Sequence, residues 1–95
     1  MAASLVVRCP STLDASSVGE FMSELRGALT RAALDLDGGA ITRIDAAGAQ
    51  LLQCVVMTAR ARGIAVGWAG ASPTLVAAMR TLGLESLVGL PVASL

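Results

Sequence analysis

Ile44-Asp45-Ala46-Ala47-Gly48 is the stretch on which the fold turns. A β-branched residue ends an extended run, an acid follows, and then small residues open the longest helical pattern in the chain. Asp45 is a good N-cap, because its carboxylate can accept from first-turn amides. From Ala46 to Arg62, Leu51, Leu52, Val55, Val56 and Ala59 recur at helical spacing and predict an inner face. Gln50, Gln53, Arg60 and Arg62 fall outside it, and Gly63 is placed to end the helix.

Working outward, the same alternation repeats on both sides. Upstream, Ala32–Leu36 predicts a central strand, with Asp35 expected near its end or toward a loop. Asp37-Gly38-Gly39 is a strong turn signal, and Ala40–Ile44 leads to the helix. Downstream, Ile64–Trp68 predicts a buried strand. Ser72 and Pro73 start a helix, since proline at the first helical position loses no hydrogen bond. Leu75, Val76, Met79 and Leu82 give its stripe, and Gly83 its end. Leu84–Leu90 reads as a short helical turn, followed by Pro91 and an apolar tail.

At the N-terminal side, Ser4–Arg8 is a β-branched run and predicts a strand. Ser11–Leu13 predicts a brief second strand or an extended connector. Ser17 and Glu20 have the spacing of a capping box. Val18, Phe21, Met22, Leu25 and Leu29 then form an apolar helical stripe. The order strand, helix, strand, helix, strand, helix implies βαβ crossovers and a parallel core sheet. Whether the first strand is parallel or antiparallel stays open at this point.

Composition narrows the chemistry. The 95 residues are 55% hydrophobic, with mean hydropathy +0.73, and seven basic residues balance seven acidic ones. That length fits a single domain, 1–95, burying about 60–65% of its unfolded surface, with little to spare for a deep cleft. The absence of His removes Ser/His and Cys/His pairs and imidazole metal ligands. Zero net charge and a pI near 6.1 speak against a nucleic-acid partner, which requires a clustered basic surface.

The remaining motifs are quiet. Gly38-Gly39 and Gly67–Gly70 lack the spacing of a dinucleotide fingerprint, and no lysine completes a phosphate loop. Asp35, Asp37 and Asp45 could gather at one sheet edge. With no Lys, His or Tyr to complete a site, turn and capping duties are the expectation, and no catalytic residue, metal or cofactor is expected. Cys9 and Cys54 fit no redox or zinc spacing and are expected as buried reduced thiols, with Cys54 packed in the core or at its margin. Ala46–Ala59 is too short and too interrupted to span a bilayer. No direct membrane insertion is expected, and the expected compartment is the cytoplasm.

The helix start at 45–50 is the candidate site. Its positive dipole end and small side chains suit close approach by a protein partner. The candidate partner-binding residues are Asp45, Ala46, Ala47, Gly48 and Gln50, with Gly38 and Gly39 beside them. The alternative is that the small residues simply let the first turn pack against a neighbouring loop.

These features, in order, resemble the STAS domain family, named for sulfate transporters and anti-sigma factor antagonists. The resemblance runs from Leu5–Leu13 through Leu34-Asp35-Leu36 and Asp45-Ala46-Ala47-Gly48 to Gly63-Ile64-Ala65-Val66 and Leu82-Gly83-Leu84. Family members often carry Asp, then Ser or Thr, then a small residue and Gly where this chain has Asp45-Ala46-Ala47-Gly48. The resemblance implies an α/β fold with a mixed, mostly parallel four- or five-stranded sheet and helices mainly on one face.

The resemblance also implies a binding role, not catalysis. Anti-sigma antagonists bind a serine kinase of the GHKL type, and phosphorylation of a loop Ser switches them off. That Ser falls at Ala47, which cannot accept phosphate, and Ala46 cannot either. Two other branches fit. One is a small cytoplasmic subunit docked on the ATPase of a lipid-transport ABC complex, usually with Thr where this chain has Ala46. The other is a STAS protein that accompanies chemotaxis or two-component genes. The apolar Leu84–Leu95 leaves a homodimer open, and the partner is otherwise an anti-sigma factor or an ABC ATPase.

Overall fold

A computed structural model describes residues 4–29 and 33–90. Three strands form the main sheet: β1 (Ser4–Arg8), β3 (Ala33–Gly38) and β5 (Ala65–Ala71), in the order β1-β3-β5. Both ladders are parallel, which answers the open question about the first strand. A separate two-stranded parallel ladder joins β2 (Thr12–Leu13) to β4 (Arg43–Ile44). The strand count is therefore three plus two, not the four or five expected in one sheet. Pro10 lies between β1 and β2 and cannot donate to a ladder, and the chain leaves the main sheet there.

β3 is the middle strand, and its residues alternate between buried and half-buried. Leu34 and Leu36 face the core, paired in register with Leu5 and Val7 on one side and Val66 and Trp68 on the other. The strand runs past the expected end at Leu36 and takes in Asp37 and Gly38. Asp35 consequently sits in mid-strand, not near a loop, opposite Val6 and Gly67. Beyond Leu36 the register with β5 shifts, so Asp37 pairs with Gly70 and Ala69 is the extra residue.

Helices α1 (Val18–Ala28), α2 (Ala46–Ala61), α3 (Pro73–Thr81) and α4 (Glu85–Val88) contribute to one core. Phe21 and Leu25 from α1, Leu52, Val55, Val56 and Ala59 from α2, and Leu75 and Met79 from α3 are buried with Leu34 and Leu36. The opposite sheet face is barer. Val6 there is 52% exposed, and Asp35 and Asp37 are half-buried. Burial on one face is what the helix stripes require, because each helix has one apolar side to cover.

The helix ends follow local chemistry. Ser72 caps α3, its hydroxyl accepting from Leu75 N at 3.1 Å, with Pro73 at the first turn. Gly63 and Gly83 hold positive φ of +73° and +69° just past α2 and α3, as the C-cap reading expects. The capping box at Ser17 does not form. Ser17 has φ −111° and ψ −13°, near the helical region, whereas a capping residue is normally extended. Its hydroxyl instead accepts from Asp14 N and donates to Thr12 O, both at 3.0 Å.

The C-terminal segment packs on its own domain as far as it is described. Val88 and Leu90 are buried. Trp68 Nε1 donates to Val88 O at 2.9 Å, and Arg60 Nη1 to Leu87 O at 2.6 Å. The tail beyond Leu90 lies outside the described residues. Leu82, expected on the α3 stripe, is exposed because the helix ends at Thr81.

Candidate functional site

The β4-to-α2 junction is built from backbone outward. β4 pairs with β2, and Asp45 N then donates to Leu13 O at 3.3 Å. Asp45 is extended, with φ −109° and ψ −175°, so its carboxylate folds back over the helix start. Oδ1 accepts from Gly48 N at 2.9 Å, the expected cap. Oδ2 accepts from Ala15 N at 3.2 Å, in the turn that leads into α1. One carboxylate thus joins the beginnings of α1 and α2.

The turn around Ala15 is itself held by short-range bonds. Ser16 donates to Asp14 Oδ1 through both its amide, at 3.0 Å, and its hydroxyl, at 2.6 Å. Hydrogen bonding from the Ser16 hydroxyl holds the Asp14 carboxyl below its usual value, against an opposing desolvation and with smaller help from the Ser16 amide and Ser17. At this end Asp14, Thr42, Arg43, Asp45 and Thr74 border a shallow polar cleft.

Behind the cap lies an open groove with almost wholly apolar walls. Val18, Gly19 and Met22 of α1 form one side, and Ala47, Gln50, Leu51 and Cys54 of α2 the other. Val18 and Met22 are four residues apart on α1. Ala47, Leu51 and Cys54 follow at intervals of four and three on α2. Each set falls on one helical side. This groove runs from the small-residue helix start along α2.

The sequence-derived site residues divide. Asp45, Ala46 and Gln50 are exposed, Ala47 is half-buried in the groove wall, and Ala47 and Gln50 line the groove. Gly48 is buried, and the close approach that its missing side chain permits is made by Leu13 of the same chain. Gly38 is buried against Leu75 and the Gly70 carbonyl, and its own carbonyl accepts from Ile41 N and Ser72 N. Gly39 is exposed, with its amide donating to Asp37 Oδ1 at 3.0 Å. The two glycines belong to the turn facing β5 and α3, and neither lines the groove.

Val18, Met22, Leu51 and Cys54 were not among the sequence-derived site residues. The first three sit on the apolar stripes and read as core, but they are only half-buried. Cys54, expected in or near the core, is exposed. It lies two residues from both Leu52 and Val56, and two residues is more than half a helical turn, so it faces away from them. Cys9 is buried as expected. Burial, then the charges of Asp37 and Glu24, push its thiol up from 9.0 to about 12.

Asp35, Asp37 and Asp45 do not form a cluster. The Asp35 carboxylate lies over Gly67, and Asp37 over Gly70, while Asp45 is spent on the two helix starts. Among the described residues no group of three or more His, Cys, Asp or Glu could hold a metal ion, and no helix is long and apolar enough to cross a membrane. A family model described as "Mlab, STAS domain" matches residues 2–89. No curated protein matches the chain.

Proposed function

The chain belongs to the STAS domain family, and on that premise we propose that it is a non-catalytic binding module of anti-sigma factor antagonist type. It docks a protein partner through the α2 start and the α1–α2 groove. The observation that carries this reading is the groove: an apolar surface that takes in Ala47 and Gln50 of the helix start, left uncovered on a small domain. Ala46 and Ala47 make the contact permanent in form, since neither has a hydroxyl to phosphorylate. A phosphate there would add roughly −2 charge beside an apolar wall and oppose docking.

The test is Ala47→Glu, with affinity for a purified anti-sigma factor of the serine-kinase type measured by calorimetry. A carboxylate in the first turn of α2 suits the helix dipole, so the variant is expected to fold. It projects into the groove wall, however, and binding is expected to be lost. Unchanged affinity in a folded variant defeats the reading.

A second reading is a small STAS subunit docked on the ATPase of a lipid-transport ABC complex. The missing hydroxyl at Ala47 suits it, because an assembly subunit needs no phosphate switch, while Ala46 departs from the Thr usual in that branch. It predicts co-purification with the ATPase and no effect on sigma-controlled transcription.

A further inference from the structure

The groove has two walls on two different helices, so its width depends on what fixes α1 relative to α2 at the docking end. Three backbone-level contacts meet there. Asp45 N donates to Leu13 O, Gly48 lies against the Leu13 carbonyl, and Asp45 Oδ2 accepts from Ala15 N. The first two fix α2 to β2. The third reaches past β2 to the turn that begins α1. It spans 30 positions of sequence, whereas the neighbouring Asp14–Ser16–Ser17 bonds span two or three. Those local bonds shape the turn but do not attach it to α2.

We infer that Asp45 is a positioning residue that sets the α1–α2 groove, its second carboxylate oxygen clasping the start of α1 to the start of α2. It governs docking through that geometry. Both oxygens already accept from the chain's own amides. The importance for docking rests on the groove being the docking face, as proposed above; the clasp itself does not.

The two oxygens have separable duties. Serine is a good N-cap, so Asp45→Ser keeps an acceptor for Gly48 N. Its single short hydroxyl cannot also serve Ala15 N, and the clasp alone is lost. Ser72→Ala is the matched control, because it removes a helix cap of similar strength at α3, where no groove wall is involved.

The experiment uses the full chain with an environment-sensitive fluorophore (acrylodan) attached at Cys54, in the groove wall. Cys9 is buried and does not compete for the label. In Asp45→Ser the dye emission is expected to shift to the red as water enters the widened groove. Amide exchange at Ala15 is expected to accelerate several-fold while Gly48 keeps its protection. Ser72→Ala should leave the dye unchanged. An unshifted dye with wild-type exchange at Ala15 overturns the inference, as does an equal shift in Ser72→Ala, which would make it a plain stability effect. If Ala47→Glu leaves partner binding intact while the dye in Asp45→Ser still shifts, the docking reading fails and the clasp stands.

Discussion

Gly48 lies against Leu13 so closely that a β-carbon on it would overlap the Leu13 carbonyl oxygen. Leu13 is fully buried in β2 and anchors that short strand in the core. The start of α2 and the backbone of β2 therefore meet through the one residue without a side chain. Two effects oppose each other in Gly48→Ala. Helix propensity favours alanine by about 1 kcal/mol, but overlap with backbone forces the helix start to move, at about 1–3 kcal/mol or more. The overlap wins, because a carbonyl held in a ladder has no rotamer to escape to.

The expected result for Gly48→Ala is a net loss of stability in urea denaturation. Gly27→Ala, in α1, is the comparison: a β-carbon there meets nothing within 4 Å. It should gain about 0.5–1 kcal/mol. A Gly48→Ala variant as stable as the wild type would remove the close approach from the account.

The Cys9 thiol gives a pH prediction. Its folded value, about 12, lies above the 9.0 of the free group. The folded chain thus keeps a proton that the unfolded chain gives up. The stabilisation is complete below pH 9 and declines as pH rises from 9 toward 12, by up to about 1.4 kcal/mol per pH unit. Chemical denaturation across that window should show the decline, and Cys9→Ala should flatten it. An equal slope in both proteins would assign the loss to other groups.

The two thiols should differ sharply in reactivity. Cys54 is exposed and Cys9 is buried. Ellman's reagent on the native chain at pH 8 should titrate one thiol quickly and the second only when denaturant is added. Cys54→Ser should abolish the fast phase. Two equally fast thiols would contradict the burial of Cys9.

Ser72 is the one buried polar residue in the described core. Its hydroxyl accepts from Leu75 N, so Ser72→Ala leaves that amide unpaired in a buried place. The expected cost is about 1–2 kcal/mol, read as a lowered urea midpoint with unchanged slope. A midpoint equal to the wild type would show that the amide finds another partner.

Much of the architecture was legible because it is written in local chemistry. Ser4–Arg8 needed only β-branched residues. Ser72-Pro73 and Asp45 needed only capping rules, and Gly63 and Gly83 only the preference of the left-handed conformation for glycine. The helix periods and the strand–helix order did the rest, and the family followed from motifs in that order. What failed locally was what a neighbour overrides. Ser17 has the spacing of a capping box, yet its hydroxyl is drawn to Asp14 N and Thr12 O. β3 continues through Asp37 because β5 and β1 supply partners on both sides of it.

The candidate site was legible as a place but not as a surface. Sequence located the helix start at Asp45–Gln50, because small residues after an N-cap are a one-dimensional signal. Which side chains face outward there depends on what lies across from them. β2 covers Gly48, Leu75 and Gly70 close over Gly38, and α1 leaves Leu51 half-buried and Cys54 exposed beside Ala47. The second duty of Asp45, on Ala15, spans 30 positions. The amino-acid sequence by itself determined the main strands and helices, the caps at Asp45 and Ser72 and the βαβ order, but neither the direction of the first strand nor the fate of Ser17. Only the tertiary structure decided how many strands join one sheet, which glycines are buried, and that a groove opens between α1 and α2, because each of these depends on distances between segments far apart in the chain.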